Sequence, residues 1–309
     1  MNYDVIVIGA GPAGLAGAVA LGRARRSVLV IDAGEPRNAT AAHMHNYLGR
    51  EGDSPAALRA DGRAEAAGYG VQFLDAAVTS AKPLAAGGFQ VEAGGTHTAR
   101  RLLVTSGLTD ELPEVPGLAE RWGETVLHCP YCHGYEVRDQ RIAVLVTGPM
   151  ATHQAQLFRQ LSPHVTVLLH EGPEPSEADL RGLAARGIET VGGRVAEVSG
   201  RADVRLADGT ELSFDAVVVG PRMIVAAGFL GDLGLETERM EIDGYLFATF
   251  VKADANGATA VPGVWAAGNV TDPRAQVIVS AGAGLTAGAM INADLVNEEV
   301  AAAVSAAGR

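Results

Sequence analysis

The chain opens on a pattern that few folds accommodate. Asp4 to Ile8 is a short β-branched run, Gly9-Ala10-Gly11-Pro12-Ala13-Gly14 follows, and an Ala-rich stretch continues to about Arg26. A second apolar run, Val28 to Ile31, ends at Asp32. Strand, glycine turn, helix and strand in this order make a βαβ unit with a GxGxxG loop. The glycines permit a tight turn and close approach of a pyrophosphate, which the helix N-terminus stabilises with free N–H groups and its dipole. Asp32 stands where an adenosine ribose would be held by a carboxylate. The alternative is a tight turn in some other α/β protein.

The pattern returns. Val5 to Ile31 aligns without a gap with Ile142 to Leu168, 137 positions on, placing Gly11-Pro12 over Gly148-Pro149 and Val28 over Val165. Two units of this kind imply two similar domains. The second copy is altered: Val146 and Ala151 replace Gly9 and Gly14, and the tight turn receives a branched side chain. His170-Glu171-Gly172-Pro173-Glu174 follows its second strand, where NADPH would require a base for its 2′-phosphate. The carboxylates there predict poor NADPH binding. NADH is less clearly excluded, because Glu171 could serve a ribose hydroxyl.

Between the units lies His128-Cys129-Pro130-Tyr131-Cys132-His133-Gly134, which holds the only 2 cysteines of the 309 residues. Three positions apart, they can close on each other but form no disulfide framework. A net charge of −12 disfavours nucleic acid and anionic lipid as partners. The uncharged run from Val5 to Gly22 has the length of a membrane span. Its glycines and the preceding Asp4 argue against both a span and an export signal. A cytoplasmic location is therefore expected, where a CxxC pair is usually catalytic, redox-sensing or metal-binding. Cys129-x-x-Cys132-His133 also matches the c-type haem attachment pattern, but that belongs to exported proteins, and a zinc site would need a second ligand pair.

The remaining segments fall around these motifs. Arg37, Asn38 and Asn46, in polar turns after the first unit, are candidate cofactor contacts, with a solvated loop as the alternative. Val71 to Leu74, Phe89 to Glu92 and Arg101 to Thr105 read as strands, the last running into Ser106-Gly107. Linkers are expected at Pro113 to Gly117 and near Gly244. Phe214 to Val219 reads as a strand, as does the run from Val264 into Gly268-Asn269. Gln276-Val277 precedes a small-residue helix, Gly282 to Asn297, whose glycines and alanines suit a helix end brought against a ligand.

In this order the motifs resemble the low-molecular-weight thioredoxin reductases across nearly the whole chain. The resemblance implies an α/β protein with two Rossmann-like βαβ domains. Residues 1–117 and 245–309 would form a discontinuous FAD domain, and 118–244 an inserted NAD(P)H-type domain carrying the CxxC. It implies FAD contacts at Gly9, Gly11, Pro12, Ala13, Gly14, Asp32, Asn46, Val78, Ser106, Gly107, Gly268, Asn269, Gln276 and Val277, and a homodimer. Two departures stand out: His133 replaces the reductases' aspartate after the second cysteine, and Asn269 replaces the aspartate that contacts the flavin ribityl chain. Asn can still hydrogen-bond there.

These departures are similar to those of the dithiol oxidase branch, which closes disulfides of the holomycin and gliotoxin kind in antibiotic biosynthesis and self-resistance. The resemblance makes Cys129 the sulfur that meets a small dithiol and Cys132 the one against the flavin, with O2 as final acceptor and hydrogen peroxide as product. Oxidising a dithiol requires a disulfide to accept the first thiolate, a base to make the second and an electron sink. An imidazole titrates in the range such a base needs, which selects His133, with His128 second. Two other readings stay open: a pyridine-nucleotide-dependent disulfide reductase, and a redox-sensing flavoprotein without turnover.

Overall fold

The opening run forms a parallel βαβ unit of β1 (Tyr3–Ile8), α1 (Pro12–Arg23) and β2 (Val28–Asp32). These elements come from a computed structural model, which describes residues 2–225 and 227–308. Parallel strands covered on both faces need continuous rather than alternating apolar runs, and Val5 to Ile8 are all buried. α2 (Pro55–Gly68) and β3 (Gln72–Asp75) add a further parallel strand, and β4 (Ser80–Pro83), β5 (Phe89–Glu92) and β6 (Thr96–Val104) an antiparallel meander.

At nine residues, β6 is long enough to serve two partners on one side. Its first half pairs with β5 and its second half with β19 (Val264–Ala266), which returns from the far end of the chain. The sheet order is β3-β2-β1-β6-β5-β4, with β19 also on β6. The final helix, α7 (Val277–Ala307), is longer than the small-residue segment suggests. It packs tightly on α1: a Cβ on Gly284 would fall 1.9 Å from the Ala13 carbonyl oxygen. Its outer side leaves Val279, Leu285, Val296, Val300 and Val304 exposed. By length and composition alone α7 could also cross a membrane.

The second unit contains β8 (Val126–Leu127), α3 (Pro130–His133), β9 (Ile142–Leu145), α4 (Ala151–Phe158), β10 (Val165–Leu169), α5 (Glu177–Ala185), β11 (Glu189–Gly192) and β15 (Ala216–Val218). Its sheet, β11-β10-β9-β15-β8, is parallel throughout. An antiparallel sheet of β12 (Val195–Ser199), β13 (Asp203–Leu206) and β14 (Glu211–Leu212) packs its apolar side into the same core. The 137-residue offset carries β2 onto β10 from end to end.

A fourth sheet joins distant segments. β7 (Thr109–Glu111) pairs with β16 (Arg222–Ile224), which pairs with β18 (Tyr245–Val251) beside β17 (Thr237–Ile242). This moves one domain boundary. Met223 and Val225, with Phe229 and Leu230 of α6 (Phe229–Asp232), are buried in the first domain's core. The chain therefore recrosses at Gly220-Pro221, not near Gly244. Val115 and Leu118 already belong to the second core, so the outward crossing lies at or just before the Pro113 to Gly117 linker.

Candidate active site between the two nucleotide units

The two glycine loops and the CxxC segment face one cavity of about 1130 Å³. At its first-domain end, Gly9 adopts φ +105°, and a Cβ there would fall 2.4 Å from the Thr105 carbonyl oxygen. Only glycine fits this turn. Gly11 has open space around its Cα on the cavity side, whereas Gly14 is packed away beneath Gly9. No side chain caps α1 at Gly11 or α7 at Gln276, so both helices bring free N–H groups to the wall. Pro12, Ala13, Asn38, Ser106, Gly107, Gly268, Asn269 and Val277 line the same region.

Three polar candidates already have protein partners. Asp32 accepts from the Ala10 N–H at 2.9 Å, which closes the glycine loop, and from Arg59 at 3.1 Å. Arg37 makes a two-pronged pair with Asp110, at 2.8 and 2.7 Å, and donates to the Pro273 carbonyl. Asn269 spends its amide N–H on the carbonyls of its own turn, including Ala275 at 2.9 Å. A carboxylate could not donate these bonds, which gives the Asn for Asp departure a physical reason and leaves Oδ1 free to accept.

Two candidates lie elsewhere. Val78 packs against the first domain's core, outside the cavity wall. Asn46, in a left-handed turn with φ 60°, donates from Nδ2 to the Tyr131 carbonyl at 2.6 Å. It ties the first domain to the cysteine helix and does not line the cavity.

The second loop is built differently at its turn. Gly172 donates its N–H to the Val146 carbonyl at 3.1 Å, and a Cβ on Gly172 would meet that oxygen at 2.4 Å. Val146 is buried beneath this crossing. By the offset from Pro12, α4 should begin at Pro149; it begins at Ala151 and is shorter than α1. The cavity reaches Thr147 to Ala151 but not the end of β10. There Leu169 occupies the position matching Asp32, and Glu171 pairs with Arg194 at 3.7 Å. The strand end is thus less uniformly acidic than its sequence suggests, because Arg194 arrives from a separate segment.

The CxxC lies between the two loops. Cys129 precedes α3, Pro130 starts it, and Cys132 and His133 complete its single turn. The cysteines are free thiols lining the cavity. A hydrogen bond from Cys132, the backbone N–H groups of Tyr131 and Cys132 and the charge of Arg37 outweigh burial, lowering the Cys129 thiol to about 7. Cys132, the hydrogen-bonding partner of that thiolate and itself buried, is pushed up. A sulfur with a lowered pKa is the better leaving group in thiol–disulfide exchange.

Both histidines are held below the ordinary imidazole value, chiefly by burial. His128 donates from Nδ1 to the Val219 carbonyl at 3.1 Å, which leaves Nε2 as the acceptor, and Gln154 donates to the His128 carbonyl. His133 Nε2 is buried and has no hydrogen-bond partner. Such an atom calls for a role, and a neutral imidazole with an unused lone pair beside two cysteines is equipped to take a thiol proton. Sequence reasoning missed Arg59, Asp110, Gln154 and Glu136. Each meets its partner only through the fold.

A family model described as pyridine nucleotide-disulphide oxidoreductase matches residues 3–284. The chain is 32% identical to thioredoxin reductase sirT of Leptosphaeria maculans, over 97% of this chain and 96% of that protein. Among solved structures, HlmI is 45% identical with TM-score 0.92, covering 100% of this chain and 97% of HlmI. An oxidoreductase from Agrobacterium tumefaciens is 37% identical with TM-score 0.90, covering 96% and 99%. With its two nucleotide-type domains and its CxxC, the chain belongs to the pyridine nucleotide-disulphide oxidoreductase family, as a thioredoxin-reductase-like flavoprotein enzyme.

Proposed function

We propose that the protein is an FAD-dependent dithiol oxidase. It closes an intramolecular disulfide in a small natural-product dithiol of the holomycin or gliotoxin kind, with O2 as acceptor and hydrogen peroxide as product. One contrast carries the reading: at the first loop Gly9 and Gly11 line the cavity and Asp32 stands at the strand end, whereas in the second Val146 lies buried under Gly172, the cavity does not reach the strand end at Leu169, and the cysteines face the same cavity. On this reading electrons enter from a thiol and not from a nicotinamide.

The first-domain end of the cavity fits FAD. The helix ends at Gly11 and Gln276 suit its phosphates, Asp32 and Arg59 its adenosine end, and Asn269 Oδ1 its ribityl chain. When bound, FAD supplies the two-electron acceptor for the cysteine pair and the group that O2 reoxidises. The protein does the rest. One substrate thiolate attacks Cys129 of the oxidised pair, releasing Cys132. His133, with His128 the second candidate, then removes the second thiol proton, and the new thiolate closes the substrate disulfide by expelling Cys129. The lowered pKa of Cys129 favours that departure.

The exposed apolar row on α7 supports a homodimer in which a second copy covers it. The working location is the cytoplasm. The test is oxygen uptake by the flavin-loaded enzyme with a reduced dithiolopyrrolone, reading disulfide and peroxide together. One peroxide per disulfide is expected. Disulfide reduction driven by NADPH without oxygen uptake would make the protein a reductase.

A further inference from the structure

The two walls of the cavity differ in charge. The first domain contributes Asp32, Arg37, Arg59 and Asp110 among its lining residues. Along the second-domain wall, from Trp122 to Gly220, the described lining residues include no Asp, Glu, Lys or Arg. Two of the polar groups there are already spent: Thr147 donates its hydroxyl to the Gly220 carbonyl at 3.1 Å, and Gln154 donates to the His128 carbonyl. Arg222, just beyond the crossing at Gly220-Pro221, is paired with Glu111 at 3.0 Å. Met150, Gln154 and Leu157 recur at helical spacing on one side of α4, and all three line the cavity. The Gln154 bond sets this side of α4 against the residue that precedes Cys129. Gly148 leaves open space where a side chain would stand.

We propose that the turn from Thr147 to Met150 and the adjoining side of α4 bind the body of the substrate, and that this substrate is an uncharged dithiol. The proposal rests on the dithiol oxidase reading of the site. It gives the substrate the place that corresponds, by the 137-residue offset, to the ligand side of Gly11-Pro12. A carboxylate or ammonium group held against this wall would lose water without gaining a partner, whereas a neutral body loses little. A pyrophosphate would meet no cation there, in contrast to the first-domain wall with Arg37 and Arg59. Met150 is exposed, and its unbranched thioether adapts to an irregular apolar body. Met150 and Leu157 are thus the residues that set specificity, with Cys129 fixing where the reacting sulfur stands.

The test compares dihydrolipoamide with dihydrolipoate, which share the same dithiol end, by anaerobic bleaching of the flavin in the holoenzyme. The amide is neutral at its far end and the acid carries a carboxylate. At limiting concentration dihydrolipoamide is expected to bleach about tenfold faster, the scale of one desolvated group left without a partner. Met150→Arg offers the carboxylate a partly exposed counter-charge and should speed dihydrolipoate about threefold while slowing dihydrolipoamide. Leu157→Arg should narrow the preference in the same sense, and it replaces Met150→Arg if that variant fails to hold flavin. Equal wild-type rates, or a preference that neither arginine variant narrows, overturn the assignment. Wild-type flavin that neither dithiol bleaches would instead overturn the oxidase reading beneath it.

Discussion

The two βαβ units share a strand-helix-strand frame and differ at its turn. In the first, Gly9 takes a left-handed conformation against Thr105, Asp32 holds the loop through the Ala10 N–H, and α1 begins at once. In the second, Val146 occupies the turn, Leu169 makes no such bond, Gly172 crosses over the strand end, and α4 starts late. The frame survives because β9 and β10 bury the same continuous apolar face whether or not a ligand binds. The middle of the loop is freer to change: Val146 and Ala151 belong to that core, but Thr147 to Met150 between them do not. On the proposed reading, the second unit gives up its nucleotide and keeps its other duty, carrying the cysteine pair to the cavity.

The contrast can be broken from the first side. Gly9→Val copies the second loop's residue into a position with φ +105° and a carbonyl oxygen where Cβ must go. It should abolish flavin binding, giving colourless or insoluble protein; a yellow, active variant would show that the turn is not what separates the units. Next in size, His133→Ala should slow dithiol oxidation about a hundredfold, the scale of a lost general base, while flavin content is unchanged. An unaltered rate would remove His133 as the base and leave His128.

A smaller effect concerns the thiol pair. The hydrogen bond from Cys132 is the largest of the causes that lower the Cys129 thiol. Cys132→Ala should return it toward the ordinary thiol range. Alkylation at pH 7, measured on reduced protein, should then slow about tenfold, since the thiolate is the reactive form. An unshifted midpoint would put Arg37 and the backbone N–H groups in charge. The least change is expected from Val146→Gly. A glycine alone leaves Gly172 over the strand and Leu169 in place of a carboxylate, so nicotinamide reduction of the flavin should not appear. Its appearance, in stopped-flow absorbance, would reduce the whole contrast to one side chain.

How much of this was legible in the sequence followed from how local the cause was. The spacing of Gly9, Gly11 and Gly14 before an Ala-rich helix, and the 137-residue repeat, placed both units and brought β2 onto β10. The boundary at Gly220-Pro221 was not legible, because β16 pairs with β7 more than a hundred positions away and no local pattern announces that pairing. The motif order makes Asn46 and Val78 cofactor contacts. The fold turns Asn46 toward the cysteine helix and packs Val78, partly buried, against the first domain's core. Arg59, Asp110 and Glu136 carry no motif at all. They matter through the groups they face: Asp32, Arg37 and His45.

The most direct measurement is the absorbance of the bound flavin under anaerobic conditions, mixed in turn with a small dithiol, NADH and NADPH, then opened to air. The account predicts bleaching by the dithiol alone, with recovery and peroxide once oxygen is admitted. Rapid bleaching by NADPH or NADH, with the dithiol inert, would contradict it: the second loop would then still hold its nucleotide despite Val146 and Gly172.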